Sequence, residues 1–304
     1  MKVDAPRPLS ETGVSIIIPT LNGGQAFIAC LEGIEKQQGA GPVELIVVDS
    51  GSGDGTLEAA ARAGARIIDV DPGAFNHGMA RDLGARSAGG DVFVFTVQDA
   101  RPADEHWLRF LVEPLLEGAA AATSRILPRP ESSPLARRTA FDSIMASDAP
   151  FEADPSKVNL EAMTPEETRR FARFDDISSG VRAEVYRDIP FRQVPMAEDL
   201  QWALDALGRG HRIRYAPRSM VYHSHEYAPI SAYRRYREDA KALQEILGLA
   251  VRRGLCHAIK GYVYEVMRDL RFLLKKNPWA LFTYGPYSLI LRGFQIAGQW
   301  RGSP

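Results

Sequence analysis

Four short stretches of this 304-residue chain carry side chains able to do chemistry. TVQDARP (96–102) closes an apolar run and leaves Asp99 just past its end. AEDLQW (197–202) holds the adjacent acids Glu198 and Asp199. YHSHEY (222–227) sets His223 and His225 two residues apart, on one side of an extended chain. VDSGSGDGT (48–56) places Asp49, Ser52 and Asp54 in a glycine-rich turn. Taken singly, each has a structural explanation. Asp99 could be a loop acid, a metal ligand or half of a two-acid motif. Glu198-Asp199 could supply a general base, or could be acids favoured by the dipole at a helix N-terminus. The acids of the turn could simply cap backbone N–H groups.

The elements around these residues give them a common place. Apolar, β-branched runs at 14–20, 43–50, 65–71 and 91–97 read as buried strands. Helical periodicity at 25–38, 56–64 and 75–90 separates them, and 104–118 adds a helix that Pro114 should kink. Strands alternating with helices imply right-handed crossovers and a largely parallel sheet, an α/β fold. Such sheets bind ligands beyond the carboxyl ends of their strands. Thr20–Asn22, Asp49–Asp54 and Gln98–Asp99 all fall there. Residues 126–175, rich in Pro, Arg, Asp and Glu, read as a long excursion with short helices, suited to a lid or acceptor-side insertion. An amphipathic helix is expected at 196–210, and a strand at 212–227 broken by Pro217.

The remainder is helical. Residues 229–250 and 255–276 are basic and amphipathic, and 279–300 is apolar and aromatic with one charge, Arg292. Gly285-Pro286 and Arg292 argue against a membrane-spanning helix there. An interfacial segment between Trp279 and Trp300 and a buried docking helix both remain open.

Composition is that of a globular protein, with 45% hydrophobic and 25% charged residues. The net charge of −1 conceals a segregation: from Ser231 onward 13 Lys+Arg face 5 Asp+Glu. A basic tail suits an anionic partner such as a membrane surface, while an acidic main domain argues against nucleic acid. Two cysteines without CxxC or Cys/His spacing give no indication of structural zinc, and Cys30 reads as a small buried hydrophobe. The polar N-terminus lacks the apolar core of a secretory signal, so a reducing, cytoplasmic setting is expected.

VSIIIPTLNGG followed by VELIVVDSGSGDGT closely resembles the opening of family 2 glycosyltransferases, and the resemblance continues in order through FNHGMARDLGAR, FTVQDARP, FDDISSGVR, AEDLQWALDALGRGHRIRYAP and VYHSHEY. It covers about residues 13–228, and the FNHG, QDA and HSHEY forms look most like the rhamnosyltransferase-type branch. The resemblance implies the GT-A fold, a Rossmann-like, mixed but mostly parallel sheet over 1–228, followed by a helical extension over 229–304. It implies transfer of a sugar from a nucleotide-sugar donor, dTDP-rhamnose being one candidate, to a saccharide or lipid-linked acceptor, at the cytoplasmic face of a membrane. Donor contacts would come from Pro19, Thr20, Asn22, Asp49, Ser52, Asp54, His77, Arg81, Gln98, Asp99, Ser179 and Gly180. Relatives usually carry Asp-x-Asp where this chain has Val97-Gln98-Asp99, so one acid of two remains. Asp99 would hold Mn²⁺ or Mg²⁺, helped by His223 or alternatively His225. Asp199 would be the base of an inverting transfer, with Glu198 as an orienting group or an acceptor contact. An asparagine often stands where Asp82 is here. Two other readings stay open: a nucleotide-sugar-binding scaffold without turnover, which Val97 allows, and a nucleotidyltransferase, for which TLNGGQA lacks a basic residue. Neither a second subunit nor an oligomeric state is readable.

Overall fold

The computed structural model describes residues 8–303. The polar stretch 1–7, on which part of the signal-peptide reading rested, lies outside the described residues. In chain order the strands and helices are β1 (Val14–Thr20), α1 (Gly24–Glu35), β2 (Val43–Asp49), α2 (Thr56–Arg62), β3 (Arg66–Asp69), α3 (His77–Arg86), β4 (Val92–Thr96), β5 (Arg101–Pro102), α4 (Trp107–Leu116), β6 (Ala121–Leu127), α5 (Pro134–Phe141), β7 (Phe151–Ala153), α6 (Pro165–Phe171), β8 (Ser178–Arg182), α7 (Ala183–Asp188), α8 (Glu198–Gly208), β9 (Ile213–Tyr222), α9 (Pro229–Leu247), α10 (Leu255–Lys276) and α11 (Ala280–Arg301).

The strands form one mixed sheet in the order β3-β2-β1-β4-β8-β6-β9-β5, with β7 paired to β9. The β3-β2-β1-β4 half is parallel, and β8 runs antiparallel to both β4 and β6. β1 has β2 on one side and β4 on the other, so the strand order reverses there, and a ligand crevice is expected at the carboxyl ends of these strands. Every residue of β1 is buried, which is why VSIIIPT reads as an unbroken apolar run rather than an alternating one. A Cβ on Gly84 would sit 2.5 Å from Ile17 Cγ2, so only glycine lets α3 lie this close to the sheet. Cys30 is wholly buried in the core, and burial, then the Asp99 carboxylate, pushes its thiol up to about 12.

Three local expectations change. β9 runs through Pro217 instead of ending there, because the register to β6 jumps between Ser124/Ala216 and Arg125/Met220, and the bulge takes up the proline. α11 likewise continues through Gly285-Pro286: one missing backbone donor is a local cost that a well-packed helix can bear. Phe151–Ala153, inside the expected excursion, joins the sheet as β7.

The described residues fall into two compact units. The first takes the chain through Leu127, Ile144–Met163 and Arg170–His223, and holds the sheet. The second joins Pro128–Ser143 and Thr164–Arg169 to the chain from Ser224 onward, so it draws on the expected insertion as well as on the tail. The reason is visible in α5. Arg138 is buried and meets Asp142, Glu265 and Asp269 at 2.5, 2.6 and 2.5 Å. Asp269, fully buried on α10, also takes Arg292 of α11 at 2.8 Å. Glycines on and just after α11 fit it against α9, since a Cβ on Gly298 or Gly302 would strike the Tyr233 or Arg237 carbonyl oxygen. Among the described residues no helix is long and apolar enough to cross a membrane.

Candidate active site

The loops after β1, β2 and β4 are tied into one platform by their own side chains. Asp49, at the end of β2, is 1% exposed, and its carboxylate accepts four hydrogen bonds. The donors are the Thr20 hydroxyl at 3.0 Å, the Ser52 hydroxyl at 2.5 Å, and the backbone N–H groups of Gly51 at 2.9 Å and Ser52 at 2.8 Å. Gly51, at φ +99°, makes the turn back onto Asp49. Burial pushes the Asp49 carboxyl up, but these donors outweigh it and hold it below the ordinary range. Asn22, at φ +47°, accepts from the Gly53 N–H, and its own N–H donates to Ser52 Oγ at 2.8 Å. Asp54 accepts from the Thr56 hydroxyl and N–H and from the Gly24 N–H, joining the starts of α1 and α2; the Thr56 hydroxyl leads in holding its carboxyl low. Gln98 accepts from the Leu21 N–H at 2.9 Å and donates back to its carbonyl. Pro19 is buried in β1 beyond Ile17, the last partner of β4, so its missing N–H breaks no bond to that strand.

This platform makes a stability prediction. Asp49→Ala would strand four donors and should cost about 1–3 kcal/mol. Urea unfolding at neutral pH measures it, and an unchanged midpoint would mean that water serves these groups equally well.

A second group forms because β5 pairs antiparallel with β9. Arg101 lies opposite Tyr222 and Pro102 opposite Val221, so the residues just before β5 meet those just after β9. His223 Nε2 stands 3.4 Å from Asp99 Oδ1. The histidine is 4% and the aspartate 25% exposed on the side chain, and the His223 N–H is fixed to the Leu127 carbonyl at 2.8 Å. A carboxylate oxygen beside an imidazole nitrogen is a donor set that fits Mn²⁺ or Mg²⁺. Val97, in the place of the other acid, packs against the hydrophobic core. His225 follows two residues on, in the second unit, its ring stacked on Tyr227 at 5.0 Å.

The third group is an acid cluster around one arginine. Ala197 takes a left-handed conformation (φ +62°) and turns the chain into α8, whose first residues are Glu198 and Asp199. Arg81, from α3, is 3% exposed and meets Glu198 at 2.8 Å and Asp176 at 3.3 Å. Its guanidinium is therefore engaged by carboxylates from the approach to β8 and from α8. Asp199 stays half-buried and accepts the Leu200 N–H. Desolvation, then the Asp175 and Glu198 carboxylates, raises its pKa to about 7. Asp176 is raised well above the ordinary range by burial first, with Arg81 opposing and the Asp199, Glu198 and Asp175 carboxylates adding to the rise, and neither of its oxygens has a hydrogen-bond partner. FDDISSGVR carries Asp175 and Asp176, to which spacing alone assigns no role. Two adjacent acids ahead of a buried strand were the available signal; that they face Arg81 and α8 follows only from packing. Because Thr96 of β4 pairs with Ser178 of β8, both acids leave the sheet at the carboxyl end of β4.

Other expected contacts lie elsewhere. Ser179 and Gly180 are inside β8 and are fully or nearly enclosed. A Cβ on Gly180 would meet Leu111 and Leu115 of α4 at 3.3 Å, so the glycine serves helix packing. Trp202 is 1% exposed, donates to the Ile189 carbonyl and tilts against Phe174, so it packs in the core. His77 is exposed at the start of α3, edge-on to Phe75 at 5.0 Å. Asp82 pairs with Arg86 one turn along.

Comparison with known proteins adds identity to this geometry. The family model described as glycosyl transferase family 2 matches residues 15–182. The O-antigen chain rhamnosyltransferase RfbN of Salmonella typhimurium is 29% identical, the alignment spanning 96% of this chain and 91% of that one. WbaN of Salmonella anatum, also an O-antigen chain rhamnosyltransferase, is 26% identical over 95% and 90%. In fold, the chain is similar to the Pyrobaculum calidifontis mannosyltransferase PcManGT solved with GDP-Man and Mn²⁺, at a TM-score of 0.64, 19% identity, and coverage of 98% and 89%. It is also similar to glucosyl-3-phosphoglycerate synthase from Mycobacterium tuberculosis with Mn²⁺ and UDP, at 0.54, 19%, 78% and 81%. The family match spans β1 to β8, the same stretch that builds the loop platform, Asp99, Arg81 and the Asp175-Asp176 pair: the chain belongs to glycosyl transferase family 2 and is a glycosyltransferase.

Proposed function

We propose that this enzyme transfers a 6-deoxyhexose of the rhamnose type from its dTDP-activated donor to a hydroxyl of a saccharide or lipid-linked acceptor, with inversion. The observation that carries the mechanism is the division of labour between two adjacent acids. Glu198 is neutralised by Arg81, while Asp199, one residue on, is left half-buried with a pKa near 7. A carboxyl in that range can take a proton at neutral pH, as a general base must. In the proposed step Asp199 accepts the acceptor O–H proton as that oxygen attacks the anomeric carbon. The bond from that carbon to the diphosphate oxygen breaks on the opposite face, and the nucleoside diphosphate leaves with the bonding pair. Glu198 and Arg81 orient the start of α8, and the platform around Thr20, Asp49 and Ser52 supports the nucleotide. Asp99 and His223, with His225 as the alternative, would hold Mn²⁺ or Mg²⁺; when bound, such a cation offsets charge on the leaving diphosphate. The histidine favours Mn²⁺. The proposed setting is the cytoplasmic side of a membrane.

The rhamnosyl preference is supported by two relatives aligned over nearly their whole length. Against a nucleotidyltransferase, the loop after β1 spends its glycine N–H groups on Thr56 and Asp54, leaving them unavailable to a triphosphate. A thermal-shift screen with Mn²⁺ tests the donor. At a hundredfold excess over its Kd the true donor stabilises by about 2.7 kcal/mol. dTDP-rhamnose should raise Tm above UDP-glucose and GDP-mannose; a larger shift with either of those would reassign the sugar. Stabilisation without any release of dTDP in the presence of acceptors would instead favour the binding protein without turnover.

A further inference from the structure

α10 and α11 turn their acids, Arg292 and other polar side chains inward, and expose a row of large apolar ones beside basic residues. On α11 the inward face carries Ser288, Arg292 and Gln295, all buried. Its outward face carries Phe282, Leu289, Ile290 and Phe294, of which Phe282 is 76% and Ile290 55% exposed. Its only charged residues are Arg292, paired inside to Asp269, and Arg301 at its end. α10 repeats the pattern. Both of its acids are turned to Arg138, while Ile259, Val263, Met267 and Leu274 recur at helical spacing on the outside. The ionisable side chains exposed beside them are His257, Lys260, Arg271, Lys275 and Lys276, none of them acidic. Between the helices Trp279 is 80% exposed, its ring 6.1 Å from that of Phe282.

A surface helix in water normally shows the reverse arrangement, so this face is built for a medium other than water. We propose that the α10–α11 face docks on an anionic lipid bilayer. The aromatic and aliphatic residues would enter the boundary between headgroups and acyl chains, and the lysines and arginines would meet the anionic headgroups. Charge selects this occupant over a second copy of the chain, which would bring the same basic residues and no exposed acid on these helices to answer them. It also resolves the sequence-level ambiguity over Arg292: that charge points into the protein and does not oppose an interfacial position for α11. The inference stands apart from the transfer chemistry and needs only the second unit.

Sedimentation of the full chain with vesicles tests it, using phosphatidylcholine alone or mixed with phosphatidylglycerol. The protein should pellet with the mixed vesicles and lose binding as salt rises. Phe282→Ser combined with Ile290→Ser, and separately Lys260→Glu combined with Lys275→Glu, should each weaken binding about tenfold or more. These side chains are exposed, and unchanged binding of the nucleoside diphosphate would show that the variants are folded. Trp107 and Trp202 are buried and Trp300 is half-buried on α11, while Trp279 is 80% exposed, so a blue shift of fluorescence on adding vesicles should come mainly from Trp279 and shrink sharply in Trp279→Phe. A chain left in the supernatant with both vesicle types would overturn the proposal. So would a dimer in vesicle-free buffer, seen by light scattering, that the Phe282/Ile290 variant dissociates. Sugar transfer to a water-soluble acceptor, measured on the same samples, separates the two readings: intact transfer without vesicle binding removes only the docking surface, and the converse removes only the chemistry.

Discussion

Asp199→Asn is expected to lower sugar transfer by about 10²–10⁴-fold while leaving donor binding within about twofold. Asparagine keeps the shape at the start of α8 and can still accept the Leu200 N–H, but it cannot take a proton. Glu198→Gln should act differently. It leaves the base in place but removes one partner of a buried ion pair, so lost stability should accompany any lost rate. Isothermal titration with the nucleoside diphosphate, alongside single-turnover transfer, separates the two variants. Undiminished turnover in Asp199→Asn would remove the residue as base. The acid cluster also sets a pH dependence. As the proposed base, with a pKa near 7, Asp199 would act only in its ionised form, so kcat/KM should rise with pH through that value and level off above it. The sign for stability is opposite. A carboxyl raised in the folded state from 3.8 to about 7 binds its proton more tightly there than in the unfolded chain, so stability is lost as pH rises through this window. Asp176 is raised in the same direction and adds to that trend.

The second large effect concerns Asp99. Asp99→Ala should reduce divalent-cation-dependent donor binding and lower transfer by about 10²–10³-fold, the equivalent of a few kcal/mol of lost charge stabilisation. His223→Ala should follow it, and the double variant should lose little more than either single one, because the two side chains form one unit. Mn²⁺ titration by calorimetry, with and without donor, is the direct readout. Full activity in excess chelator would refute the metal assignment, and a His225→Ala effect larger than that of His223→Ala would exchange the two histidines.

Much of the catalytic unit was legible in the chain because its strands are buried on both faces. VSIIIPT, VELIVVD and DVFVFTV announce themselves as central strands, and the polar residues that end them mark one edge of the sheet. α10 was placed over 255–276 from its periodicity alone. What misled was local. Pro217 and Pro286 looked like breaks, yet a bulge and a packed helix carry them. Ser179 and Gly180 stood among the donor contacts, yet Ser178–Arg182 is an interior strand whose glycine makes room for α4. Small polar residues have no intrinsic preference strong enough to reveal a strand surrounded by better formers.

The sequence by itself determined the family, the order of the α/β elements, the single acid at the place where relatives carry two, and the pair of acids that ends in Asp199. These depend on residue type at fixed spacing, which survives in one dimension. Tertiary structure decided which charges meet. Arg81 and Glu198 are 117 residues apart, and Arg138 and Glu265 are 127 apart, yet each pair touches. Whether an arginine holds a phosphate or a buried carboxylate, whether Asp199 titrates near 7, and whether the apolar side of α11 faces the protein or the outside all depend on long-range packing and desolvation. Local spacing carries no record of either.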